Sequence, residues 1–223
     1  MSKRFLLVLF ACVVGLGLIF WLTSGNSSTS SSSNTPPTNH VEGEGKDSVT
    51  LVEYGDYECP ICYAYYPVVK QVAAKYNTDI YFQFRNLPLT QIHKNAFAGA
   101  RAAEAASLQG KFWQMHDLLY ENQDPNGQTG WVAANNPLSY FVSYAQQLGL
   151  NTNKFQQDYD SDTVNNLINA DLSAFNKTGN EMATPTFFLD GKKLDNTQLT
   201  VNNAPDLGKF SAIIDTEIAA KSK

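Results

Sequence analysis

Val49-Thr50-Leu51-Val52-Glu53-Tyr54-Gly55-Asp56-Tyr57-Glu58-Cys59-Pro60-Ile61-Cys62 decides how the rest of the chain is read. Its first six residues are rich in β-branched and apolar side chains, which predicts a strand. After a short turn come two cysteines separated by two residues, and then a helical pattern that runs to about residue 76. Pro60 suits the first helical position, where its missing N–H would be unpaired in any case. Cys59 then becomes the N-cap, its sulfur meeting free backbone N–H groups and the positive end of the helix dipole. Both favour thiolate over thiol, and in such motifs the pKa falls from about 8.5 to roughly 3.5–7.5. Cys62, one turn further in, should be more shielded and more fully protonated.

This asymmetry predicts a redox pair. A thiolate attacking Cys59 of the oxidised pair forms a mixed disulfide, and a second thiol resolves it and leaves both cysteines reduced. A structural staple explains the pair poorly, because so short a loop constrains the unfolded chain weakly. Zinc is the chemical rival. It would need two more ligands, and the chain offers only His40, His93 and His116, with no second C-x-x-C. No metal and no cofactor are expected. His93 and His116 read as packing or capping residues. Asp158-Tyr159-Asp160-Ser161-Asp162 mimics the start of a calcium loop, but Thr163 stands where glycine is required, so a helix N-cap near Asp162 is preferred.

The surroundings fit one soluble domain behind an N-terminal apolar segment. The chain has 223 residues and a formal net charge of −5, with no long basic run, which disfavours nucleic acid as a partner. Residues 5–22 carry no charge and follow Lys3 and Arg4, a layout that predicts a membrane anchor with the rest of the chain outside. A cleaved secretory signal over residues 1–23 is the alternative. Cys12 falls in this stretch and reads as a membrane-buried thiol. Residues 24–47 are rich in Ser, Thr, Asn, Gly and Pro and read as a flexible linker, so the folded domain should span residues 48–223. A second strand is expected near residues 79–84, a helical block at about residues 90–178, strands near 186–189 and 192–194 joined at Asp190-Gly191, and a last helix from about 205 to 220. This is an α/β sheet domain interrupted by an all-helical insertion.

The stretch from Val52 to Cys62 resembles the active-site segment of DsbA-like thiol–disulfide oxidoreductases, a thioredoxin-fold family with a helical insertion. Thr184-Pro185-Thr186-Phe187-Phe188-Leu189-Asp190-Gly191 resembles that family's cis-proline loop, and Gln109-Gly110-Lys111-Phe112-Trp113-Gln114-Met115-His116 resembles part of its insertion. The resemblance covers roughly residues 48–220. It implies that Thr184-Pro185 is cis and lies against the cysteines, with Pro60, Ile61, Thr184 and Pro185 meeting substrate. It also implies that Glu53 is a buried acid relaying a proton for Cys62. The most oxidising relatives carry histidine where this chain has Ile61, and an apolar side chain adds neither a hydrogen bond nor charge beside the thiolate. Tyr57 and Tyr63 are candidates for lining a substrate groove.

The expected function is an extracytoplasmic oxidase that forms disulfides in reduced or unfolded client proteins, working as a monomer with a membrane redox partner. A reductase or isomerase with the same chemistry, or a non-catalytic chaperone on the same scaffold, are the alternatives. The Ile61 substitution predicts a Cys59 less acidic than in histidine-bearing relatives. Titration of thiolate absorbance should give a pKa above about 4, and a lower value contradicts the inference.

Overall fold

The structure is a computed structural model that describes residues 35–222; the expected anchor or signal, Cys12 and residues 24–34 lie outside the described residues. Five strands form the main sheet: β1 (His40–Glu42), β2 (Val49–Gly55), β3 (Ile80–Asn86), β4 (Thr186–Leu189) and β5 (Lys192–Lys193), in the order β1-β3-β2-β4-β5. β2 is central, parallel to β3 and antiparallel to β4. Helix α1 (Pro60–Lys75) connects β2 to β3, and α8 (Leu207–Lys221) closes the domain. Between β3 and β4 lie α2 (Ala96–Ser107), α3 (Phe112–Glu121), α4 (Gly130–Ala133), α5 (Leu138–Gln147), α6 (Thr152–Tyr159) and α7 (Asp162–Lys177). The chain thus has the expected thioredoxin-like α/β fold interrupted by an all-helical insertion.

Alternation along β2 sets what each face carries. Val49 and Leu51 join Val69 and Val72 of α1 and Phe210 and Ile214 of α8 in one buried cluster, while Val52 and Tyr54 pack with Phe175 and Phe188 in another. Glu53 follows Leu51 by two residues, so it falls on the face that α1 covers. The insertion has its own core, in which Trp131, Phe141, Phe155, Val164 and Ile168 are fully or almost fully buried. The periodicity predicts one buried alanine face on α2, yet Ala102, Ala103, Ala105 and Ala106 are all fully buried. Side chains this small let α3, α6 and α7 close around α2, and they retain high helix propensity.

The turn at Asp190-Gly191 has φ of 48° and 78°, the double left-handed geometry of a tight hairpin that Asp-Gly supplies readily. Two boundaries differ from the expectations. Pro205 lies in a small hairpin of β6 (Thr200–Val201) and β7 (Ala204–Pro205), and the last helix begins after Asp206, whose carboxylate accepts from the Lys209 N–H at 2.9 Å.

The larger correction concerns residues 35–47, which composition assigns to the linker. They belong to the domain. β1 adds an antiparallel edge to β3, and Thr38 is buried. The Asp171 carboxylate accepts from the Thr38 N–H at 2.8 Å, the Thr38 hydroxyl at 2.7 Å and the Asn86 N–H at 2.9 Å. His40 stacks on Phe112 at 3.5 Å and bonds to the buried Glu104 at 2.9 Å. Polar side chains therefore fasten this arm, which is why an apolar pattern cannot reveal it. Asp171→Ala strands two buried backbone N–H donors and should cost about 3 kcal/mol in urea unfolding. A loss below about 1 kcal/mol contradicts this role for the carboxylate.

Candidate active site

Cys59 is the N-cap of α1 with extended backbone angles, and Pro60 opens the helix. The preceding turn is held by Asp56. Its Oδ1 accepts from the Glu58 N–H at 2.8 Å, and its Oδ2 accepts from the Leu89 N–H at 2.9 Å and bonds to His93 Nδ1 at 2.7 Å. Glu58, adjoining the sulfur, turns away to accept from the Asn95 N–H at 2.5 Å. From just past the end of α3, Gln123 Nε2 donates to the carbonyls of Tyr57 at 2.6 Å and Cys59 at 3.1 Å. The turn is thereby fixed from three sides before the helix starts.

The Thr184-Pro185 bond is cis, and Cys59 Sγ lies 3.6 Å from the Thr184 carbonyl oxygen. Asn196 steadies this loop by donating to the Pro185 carbonyl at 2.8 Å. Ile61 is 55% exposed, and with Ala183, Thr184, Pro185 and Asn196 it lines an open groove beside the sulfur. Both cysteines are free thiols. Cys59 is 4% exposed and Cys62 fully buried, so the outer sulfur is far more covered than sequence alone suggests.

The electrostatics separate the two sulfurs. The hydrogen bond from the Cys62 thiol, set against burial and helped by the Cys62 and Ile61 amides, brings Cys59 down to about 6. The sulfur makes no full capping hydrogen bond, so the neighbouring thiol outweighs the helix start as the cause. Burial, together with the loss of its hydrogen bond to Cys59, pushes Cys62 well up. Glu53 is 3% exposed, and burial plus the nearby Cys59 charge raises it to about 8. A thiolate, a protonated thiol and a neutral acid therefore coexist within one low-dielectric volume.

Glu53 also lines a cavity of about 50 Å³ between α1, α3 and the sheet, which Tyr66, Trp113, His116 and Tyr120 share. Tyr57 is 1% exposed and packs against Phe84 at 5.2 Å, so it belongs to the core and not to a groove. Asp56, Gln123, Asn95 and Asn196 belong to no chemical motif in the sequence. Only Asp56, in a Gly-Asp-Tyr turn, carries a local signal.

Because Glu53 is about 8 in the fold against an ordinary 4.5, stability from its neutral form is full below about 4.5 and is lost as pH rises through about 8. Between pH ~5 and ~8.5, the reduced parent should therefore lose at least about 1 kcal/mol relative to Glu53→Gln. Identical pH slopes in urea unfolding contradict the assignment.

Two kinds of comparison agree on the fold. A family model described as thioredoxin matches residues 35–215. BdbD of Bacillus subtilis superposes with a TM-score of 0.65 at 24% identity, covering 82% of this chain and 96% of that one. The thiol–disulfide exchange protein α-DsbA2 of Wolbachia pipientis superposes with a TM-score of 0.62 at 17% identity, covering 82% and 88%. Among curated proteins, a Na⁺/H⁺ antiporter NhaA 3 of Salinispora tropica is 35% identical over 71% of this chain but only 22% of its own length. A second antiporter, NhaA 1 of Mycolicibacterium gilvum, is likewise 35% identical over 71% of this chain and 24% of its length, so the chain spans less than a quarter of these relatives. With the family model spanning most of the chain, the protein belongs to the thioredoxin family, and its fold, with a helical insertion between β3 and β4, is like that of BdbD and α-DsbA2.

Proposed function

We propose that the chain is an extracytoplasmic thiol–disulfide oxidoreductase that works mainly as an oxidase of reduced client proteins. The observation that carries this reading is the split between the two sulfurs, with Cys59 near 6 and Cys62 well above an ordinary thiol. A stabilised thiolate makes the reduced state favourable and Cys59 a good leaving group. A client thiolate attacks Cys59 Sγ, the Cys59–Cys62 bond breaks, and its electron pair passes to Cys62 Sγ. Cys62 takes a proton from Glu53. A second client thiolate then attacks the client sulfur, releasing the client disulfide and the Cys59 thiolate.

The groove along Ile61, Thr184 and Pro185 suits an extended client segment, with backbone groups beside Pro185 as hydrogen-bond partners. Exposed Ile61 and Met182 offer apolar contact of the kind unfolded chains provide. Location outside the membrane, attachment through residues 5–22, a monomeric state and recharging by a membrane redox partner complete the reading. Sodium–proton antiport is named for relatives of which this chain matches under a quarter. No helix among the described residues is long and apolar enough to cross a membrane, and antiport is not proposed.

The oxidised chain should oxidise a reduced, unfolded disulfide protein, and Cys59→Ser should abolish this. Equilibration with glutathione should place the couple less negative than about −200 mV; a value near −270 mV makes it a reductase. Full rescue of substrate-protein folding by a Cys59→Ala, Cys62→Ala double variant would instead point to a chaperone.

A further inference from the structure

The cavity beside Glu53 contains a polar atom that the exchange chemistry leaves unused. His116 is 5% exposed, and its ring packs against Phe84 at 4.8 Å, Tyr120 at 5.1 Å and Trp113 at 5.2 Å. Its Nδ1 lies 3.3 Å from Asp117 Oδ1. Burial pushes Asp117 up, but hydrogen bonds from His116 and Lys70 outweigh it and hold the carboxyl at about 2. Asp117 is thus a carboxylate and can only accept, so Nδ1 carries the hydrogen and Nε2 presents a lone pair. Nε2 is buried and has no hydrogen-bond partner. A phenylalanine would fill an aromatic niche without that penalty.

The geometry gives the atom a use. Glu53 and His116 line the same cavity, whose volume of about 50 Å³ has room for about three waters. Asp117 lines the cavity as well, is 34% exposed at its outer side and pairs with the half-exposed Lys70 at 2.8 Å. We propose that His116 is a positioning and relay residue that passes protons between Glu53 and the surface carboxylate of Asp117 by way of the cavity. This deepens the oxidoreductase reading and rests on it.

The step is clearest when the pair is recharged. Cys59 has formed a mixed disulfide with the oxidant, and Cys62 gives its proton to Glu53 once Glu53, neutral in the reduced pair, has released its own. Cys62 Sγ attacks Cys59 Sγ, the Cys59–Cys62 bond forms, and the oxidant's sulfur leaves as a thiolate. The proton that Glu53 released beforehand passes through cavity water to His116 Nε2, and the Nδ1 proton moves to Asp117 and solvent. Client oxidation returns a proton by the reverse passage, so the cycle balances. Other titratable groups face the ring or the cavity: Tyr57 on the turn after β2, Tyr66 and Lys70 on α1, and His40 and Glu42 on β1. Tyr120 flanks the ring on α3, and burial holds it and Tyr57 well above the ordinary tyrosine range. Burial lowers His116, which leaves it neutral and able to accept.

The test uses the reduced full-length chain and oxidised glutathione, with acid quench and alkylation to follow the Cys59–glutathione mixed disulfide from pH ~5.5 to ~8.5. In His116→Gln the mixed disulfide should persist about tenfold longer near pH 7. Its rate of formation and the equilibrium potential should match the parent. Asp117→Asn should slow resolution in the same direction, and added imidazole should restore the rate in His116→Ala. Parent-like lifetimes in His116→Gln and Asp117→Asn overturn the relay. So does a slowing that imidazole does not relieve and that follows a lowered thermal midpoint, because that is loss of packing. If the parent itself closes no Cys59–Cys62 disulfide, it is the oxidoreductase reading that fails.

Discussion

Two ionisable sulfurs and a carboxyl share one space from which water is largely excluded, and most of the architecture serves to hold them there. In a low dielectric these three groups cannot all carry charge. Cys59 takes the negative charge because the Cys62 thiol favours it there, and burial together with that charge raises Glu53 and Cys62. The ordering of protonation follows from position alone. Shifting any one group would change the other two.

The surrounding elements can be understood as supports for that position. Asp56 ties the turn to the loop after β3, Gln123 ties it to the end of α3, and Asn196 fixes the loop carrying Pro185. The insertion is therefore more than a lid beside the sheet. Its α3 supplies His116 and Tyr120 to the cavity wall and places Gln123 under the Cys59 carbonyl. The arm at residues 38–42 closes the opposite edge, where Asp171 and Glu104 use buried carboxylates to bind β1 to the insertion.

The parts of this design that were legible in the sequence are those with a local signature. The β2 strand, the Pro60 helix start, the Asp190-Gly191 turn and the helical period of the insertion each follow from a few adjacent residues. The Cys59 N-cap position was legible for the same reason. What stayed hidden depends on contacts between distant positions. Thr38 meets Asp171 across 133 residues, and Gln123 meets Cys59 across 64. No local pattern encodes either. Tyr57 is ambiguous in the sequence because a tyrosine beside the active cysteines suits a groove and a core equally well, and only the packing of Phe84 and Tyr120 decides. His116 reads as a packing residue because its apolar neighbours are visible in the sequence, whereas its lone pair in the cavity it shares with Glu53 is visible only in space.

The central claim is that one of two adjacent sulfurs is selectively ionised by its setting. Its most direct test is the rate of iodoacetamide modification of the reduced chain against pH, with the modified cysteine identified by peptide mass. The account predicts modification at Cys59 with an inflection near 6, and Cys62 untouched until the fold is lost. An inflection near the ordinary thiol value of about 8.5, or equal modification of both cysteines in the folded chain, would contradict it.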